Sequence, residues 1–241
     1  MPTTINFVLD TPLITTNEFR QLVSGMKRYV PMVCEAWGKP IPKIQYSNRR
    51  YDGMWNFLVT EQNRISGAYG YHTVENGLPV GYISPTACGV TTGYGRETAI
   101  FGAHIPKTQW SAEFTFPGLA SVLAHEVAEA LIDPNIDLWF QDVEKNFWLC
   151  EVSDQANSTH FPLSITTRIG LCNIGLRNVV KEMVFADFTL PSFYLPQGAY
   201  PYTMTGKGAT KPFEHVSGCY AYIRDANGAQ LINFANPMDV T

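Results

Sequence analysis

Apolar positions recur along this chain at two spacings, and the change from one to the other divides it into elements. Residues 5–9 form a short β-type run. From Thr16 on, Phe19, Leu22, Val23, Met26, Val30 and Val33 recur every three or four residues, which predicts an amphipathic helix opening at Thr16-Asn17-Glu18. Gly38 and Pro40-Ile41-Pro42 end it. Strands are predicted over 43–46 and 54–60, and two more over 68–73 and 79–83 flank the turn residues Glu75-Asn76-Gly77. The Gly/Thr-rich segment between Thr86 and Gly102 lacks the Gly-Lys-Ser/Thr of a phosphate loop and reads as a surface loop.

Leu123-Ala124-His125-Glu126-Val127-Ala128-Glu129-Ala130-Leu131-Ile132-Asp133-Pro134 breaks this rhythm. It predicts a helix that is apolar on most of its circumference and therefore buried. Thr115 is its expected N-cap and Pro117 a first-turn residue; Pro134 moves Asp133 off helical angles and stops the helix there. Residues 135–148 are mixed and partly aromatic. From Phe161 on the chain is rich in strands and loops, with a rigid aromatic Leu190-Pro191-Ser192-Phe193-Tyr194-Leu195-Pro196. A C-terminal hairpin is expected, with Asp225-Ala226-Asn227-Gly228 between its arms. No repeat or low-complexity tract appears. This order predicts an α+β fold with a mixed sheet packed on the buried motif helix and a loop- and β-rich C-terminal part. One domain over 1–241 is expected, with sheet and motif helix in 1–134 and a C-terminal subdomain in 135–241.

Composition narrows the functional classes. In 241 residues, 45% are hydrophobic and 13% aromatic, ample for a core, and the net charge of −4 leaves no basic footprint for nucleic acid. No apolar run approaches a membrane span, so no membrane partner is expected. The N-terminal residues lack the features of a signal peptide, which places the chain in the cytoplasm or in a virion. The five cysteines, Cys34, Cys88, Cys150, Cys172 and Cys219, make no Cys-x-x-Cys pair. Reduced thiols are the simple reading and a Cys150–Cys172 disulfide the alternative.

The candidate chemistry lies in the buried helix. His125 and Glu129 are one turn apart on one face, while Leu119, Leu123, Val127, Ala130 and Leu131 fall on the other. A buried carboxylate is costly unless paired or bound to a metal. His-Glu-x-x-Glu varies the helical His-Glu-x-x-His motif, in which residues a turn apart ligate a metal. The adjacent Glu, about 100° round the helix, is the general base on metal-bound water. His125 and Glu129 are thus candidate ligands and Glu126 the base; the alternative is a buried polar cluster neutralised by an arginine. Glu151 lies twenty-two positions beyond Glu129, a separation at which a third glutamate ligand can follow, and Asp154 shares its side of a short turn. Asp154 is either a ligand or an acceptor orienting His125. Zn²⁺ is the favoured ion, with Mn²⁺ or Ca²⁺ admitted by the carboxylates. His215 or Tyr194 are candidate oxyanion donors. His72, His104, His160 and otherwise His215 are isolated and read as ordinary histidines. No Ser, Cys or Thr stands in a nucleophile-elbow setting.

Residues 123–134 resemble the signature of a group of zincin-like metallopeptidases found in bacteria, bacteriophages and fungi, with a distant likeness to plant EXORDIUM-type proteins. Gly70-Tyr71-His72, Gly77-Leu78-Pro79-Val80, Glu151-Val152-Ser153-Asp154, the run 186–194 and Gly218-Cys219-Tyr220 resemble further blocks, so the likeness spans about residues 68–223. Ala124 replaces the common Ser, and the stretch between Asp154 and Asp187 has its own character. The resemblance implies a zincin-like fold and a metal at His125 and Glu129, with Glu151 or Asp154 as further ligands. Activity on a peptide or protein substrate follows from it by analogy of fold. The contrasting expectation is a non-catalytic structural component, tail- or capsid-associated, of a phage particle that retains the metal-site fold.

Overall fold

The computed structural model describes residues 3–62, 65, 68–91, 95–105, 114–141, 147–156, 160–164, 182–190, 200–203, 223–224 and 230–232. Its frame is a five-stranded mixed sheet built by β1 (Thr4–Asp10), β2 (Lys43–Ser47), β3 (Trp55–Thr60), β4 (Gly70–Glu75) and β5 (Leu78–Ile83). They lie side by side in the order β2-β1-β3-β5-β4. The pairs β1–β2, β1–β3 and β3–β5 are parallel, and β4 runs antiparallel to β5 at the sheet's edge. Central strands covered on both faces need near-continuous apolar runs, which 55–60 and 78–83 supply. Asn76 and Gly77, both at positive φ (52° and 74°), make the two-residue β4–β5 turn.

Register between β1 and β3 is fixed by a polar pair inside the sheet. Asn6 stands opposite Asn56, and its side-chain amide donates to Asn56 Oδ1 at 3.0 Å. Asn56 in turn donates to the carbonyls of Tyr51 and Met54. Satisfied inside the sheet, the pair turns any slip into a buried unpaired amide.

The helix α1 (Thr16–Ala36) opens at the expected Thr16 and is capped by Thr15, whose hydroxyl accepts from Glu18 N while the Glu18 carboxylate accepts from Thr15 N. Its buried stripe of Phe19, Leu22, Met26, Tyr29, Val30 and Val33 covers the sheet face carrying Ile5, Phe7, Val59 and Ile83. The segment expected to be a surface loop holds a further helix, α2 (Arg96–Phe101), with Ile100 and Phe101 buried and Val90 buried before it. A six-residue helix shows no full apolar period, and the left-handed Gly95 that opens it carries no capping side chain. Short strands β6 (Ala103–Ile105) and β7 (Phe114–Phe116) pair next.

The motif helix, α3 (Leu119–Ile132), is capped by Gly118 and not by Thr115, which lies within β7. A side chain at 118 would sit 2.6 Å from Gly102 N and 2.7 Å from Thr98 O, so close packing on α2 excludes a Thr or Ser cap there. α3 ends at Asp133 as Pro134 requires. The Asp133 carboxylate accepts from the amides of Asp137 (2.9 Å) and Leu138 (2.8 Å), holding a turn in which Ile136 adopts φ 57°. A β-branched residue in that conformation costs roughly 1–2 kcal/mol, offset here by two charge-assisted hydrogen bonds.

α3 packs against β4 and β5, against α1 and α2, and against β11 (Glu182–Ala186), which pairs with β10 (His160–Ser164). Between them come β8 (Leu138–Gln141) and β9 (Phe147–Leu149), then a 3-10 turn at Asp154–Ala156. β12 (Tyr200–Thr203) pairs with β8, and β13 (Ile223–Arg224) with β14 (Gln230–Ile232) where the C-terminal hairpin was expected. The fold is thus mixed α and β, with the buried motif helix against one end of the mixed sheet. Among the described residues no helix is long and apolar enough to cross a membrane.

Candidate metal centre

Every residue of α3 but Val122 and His125 is buried. Glu126 and Glu129 are 6% and 3% exposed, so their carboxylates face other protein groups and not bulk water. His125 Nε2 lies 3.1 Å from Glu129 Oε1 across one helical turn and 3.1 Å from Asp154 Oδ1. The Asp154 amide donates to the same Glu129 oxygen at 3.2 Å. Three donors from two elements therefore converge, within 4.8 Å of one another. The turn that carries Asp154 is held to α3 by Ser153 Oγ donating to the His125 carbonyl, and to the strap after β11 by Thr189 N donating to the Val152 carbonyl.

His72, isolated in the sequence, belongs to the same cluster. It comes from edge strand β4 with Nδ1 3.1 Å from Glu126 Oε2 and 3.5 Å from Glu129 Oε2. Alternation along β4 sets Gly70 beside it on the face toward α3, and a methyl group at Gly70 would lie 2.7 Å from Val122 Cγ1. The absent side chain is what lets the strand approach the helix closely enough for His72 to reach both carboxylates. A Gly-x-His in an edge strand is the local signal for this contact; nothing in linear spacing links it to a helix 54 residues away.

Glu151 is buried at the end of the same acidic turn, and its Oε2 has no hydrogen-bond partner; nor has His72 Nε2. Burial pushes Glu129 up to about 8, against the pull of His125, and the neighbouring Asp154 and Glu126 push further. Glu151 is driven well above the usual range by burial and then by Glu129. Burial would discharge His125, yet Glu129 and Asp154 outweigh it and hold the ring protonated well above its ordinary range. In His72 burial is likewise outweighed, by Glu126 and Glu151. The arginine alternative is not realised: the ion pairs of Arg50 and Arg96 go to Glu75 and Glu18, and no lysine or arginine reaches the cluster among the described residues. Buried acids whose only cationic partners among the described residues are histidines, with polar atoms left unpartnered, make a donor set that could hold a cation.

His125 and Glu126 also line a cavity of about 600 Å³, walled by Tyr69, Gly70, Cys88 and Val122. That volume is in the range of small-molecule and peptide side-chain pockets. The Cys88 thiol, pushed up to about 12 by burial and by Glu61, stays protonated at neutral pH and is no nucleophile. Tyr194 and His215, the expected oxyanion donors, lie outside the described residues, as do Cys172 and Cys219.

No family model matches this chain, and no curated protein or solved structure matches it.

Proposed function

We propose that this chain is a metal-dependent peptide-bond hydrolase of zincin-like fold, with a divalent cation held by His125, Glu129 and Asp154 and Glu126 as general base. The observation that carries this reading is the convergence of His125 Nε2, Glu129 Oε1 and Asp154 Oδ1 beside Glu126, at a cavity that His125 and Glu126 line. A mixed sheet whose antiparallel edge strand abuts a buried His-Glu-x-x-Glu helix supports the zincin-like assignment. Zn²⁺ is the favoured occupant, and the carboxylate-rich set also suits Mn²⁺ or Ca²⁺. The ion would supply Lewis acidity, lowering the pKa of water and polarising a carbonyl.

The remaining work falls to the chain. Glu126 accepts the proton of the attacking water and returns it to the leaving amine. His72 Nδ1, 3.1 Å from Glu126 Oε2, fixes that oxygen and leaves Oε1 on the side of Gly70, which lines the cavity. Asp154 orients His125 as well as charging the donor set. β4 is the outermost strand of the sheet and its Gly70 end borders the cavity, so an extended peptide entering there meets a strand edge able to pair with it.

The test combines metal analysis with proteolysis. His125→Ala should lose the metal held at the His125 position, while Glu126→Gln should still bind metal there yet lose about 10²- to 10⁴-fold in cleavage of casein or a peptide library. Cleavage that survives Glu126→Gln overturns the mechanism. Metal binding without turnover in the native protein favours the non-catalytic virion component instead.

A further inference from the structure

We infer that the centre holds two cations, the second on His72, Glu126 and Glu129, with Glu129 bridging the pair through its two carboxylate oxygens. This deepens the reading above and rests on its first metal position. Two sets of three donors, His125–Glu129–Asp154 and His72–Glu126–Glu129, each lie within 4.8 Å of one another, and they share only Glu129. The sharing is divided by atom: Glu129 Oε1 faces His125 and the Asp154 amide, whereas Oε2 faces His72. A carboxylate with a different histidine on each oxygen is arranged as a bridging ligand; in two-metal hydrolases the ions sit about 3.5–4 Å apart.

Charge points the same way. Glu126, Glu129, Glu151 and Asp154 gather here, and among the described residues no lysine or arginine reaches them. A single divalent ion balances two carboxylates and leaves the other two to the His72 imidazolium and a retained proton, whereas two ions balance all four. Two unpartnered atoms add an independent observation. His72 Nε2 and Glu151 Oε2 are both buried without a hydrogen bond. A ligating histidine characteristically donates its other ring N–H to a carboxylate. With His72 Nδ1 on the second ion, its unpartnered Nε2–H is left for a carboxylate acceptor, and Glu151 Oε2 is a buried acceptor that has no partner of its own. Glu126 then binds through Oε2 and keeps Oε1 for proton transfer, so ligation and general-base roles coexist.

The experiment is metal stoichiometry on the full chain. Protein stripped with chelator is dialysed to equilibrium against Zn²⁺ or Mn²⁺ and its metal content measured. The native protein should hold about two ions per chain and His72→Ala about one. The Mn²⁺-loaded native protein, which needs no variant, should show the electron paramagnetic resonance of a coupled pair. One ion per chain with the spectrum of an isolated ion overturns the second position and leaves the hydrolase proposal standing, whether or not His72→Ala removes that ion. No bound metal overturns both.

Discussion

A methyl group at Gly70 would lie 2.7 Å from Val122 Cγ1, 3.2 Å from Glu126 Oε1 and 3.3 Å from the Tyr82 carbonyl. The first two belong to α3 and the last to the backbone of β5, so the methyl group is wedged between the helix and the neighbouring strand and β4 must shift off α3 unless Val122 gives way. Gly70→Ala should cost about 1–3 kcal/mol, read by urea denaturation, and weaken metal binding more than a mutation of equal cost far from the site. Stability lost with metal affinity intact would show that His72 follows the strand without help from Gly70. Linear spacing revealed His125 and Glu129 because one helix holds both, and Asp154 because a short turn keeps it near Glu151. It could not reveal His72, whose partners depend on how an edge strand meets a helix. Nor could it show that Asp154, and not Glu151, would touch His125, since that depends on how the turn leaves β9.

Among the elements, α1 owes its start to a reciprocal cap and its position to a fork. Glu18 accepts from the Thr15 amide, and its two oxygens take Arg96 Nε at 2.8 Å and Nη2 at 2.7 Å. Arg96 also donates to the Leu13 carbonyl, so one guanidinium joins the N-termini of α1 and α2. Despite partial burial, Arg96 and the Thr15 contacts keep the Glu18 carboxyl below its ordinary range. Thr15→Ala should cost about 1 kcal/mol. Glu18→Ala should cost about 2, because the fork is lost along with the cap. Equal costs in chemical denaturation would mean that the fork contributes nothing. The long periodic α1 and the alternating strands were legible because each buries a regular stripe. α2 was not, since six residues between glycines carry too little pattern and its burial is imposed by α3.

For the molecule as a whole, the cluster ties stability to pH and, on the proposed reading, to metal. Without metal, Glu129 keeps its proton up to about pH 8 in the folded chain, against 4.5 as its ordinary value. Its contribution is therefore complete below about 4.5 and disappears as pH rises through about 8. Glu151 and His125, both raised, act in the same direction, as does Asp133, pushed up to about 6 by burial. In chelator the Tm should fall as pH climbs from about 5 to about 8. Added Zn²⁺ should raise it by an increment that grows over the same window, because protons stop competing for the ligands. Thermal melts across this range check both, and a Tm that rises with pH in chelator contradicts the account.

Thr189 receives the Trp37 indole N–H on its carbonyl at 2.8 Å, and both its amide and its hydroxyl donate to Val152 beside the acidic turn. The far end of α1 thereby touches the ligand turn through a single intermediary. Binding couplings run equally in both directions. On the proposed metal reading, loading of the site should therefore be felt at the Trp37 indole, as a metal-induced change in fluorescence that the native protein shows and Trp37→Phe lacks.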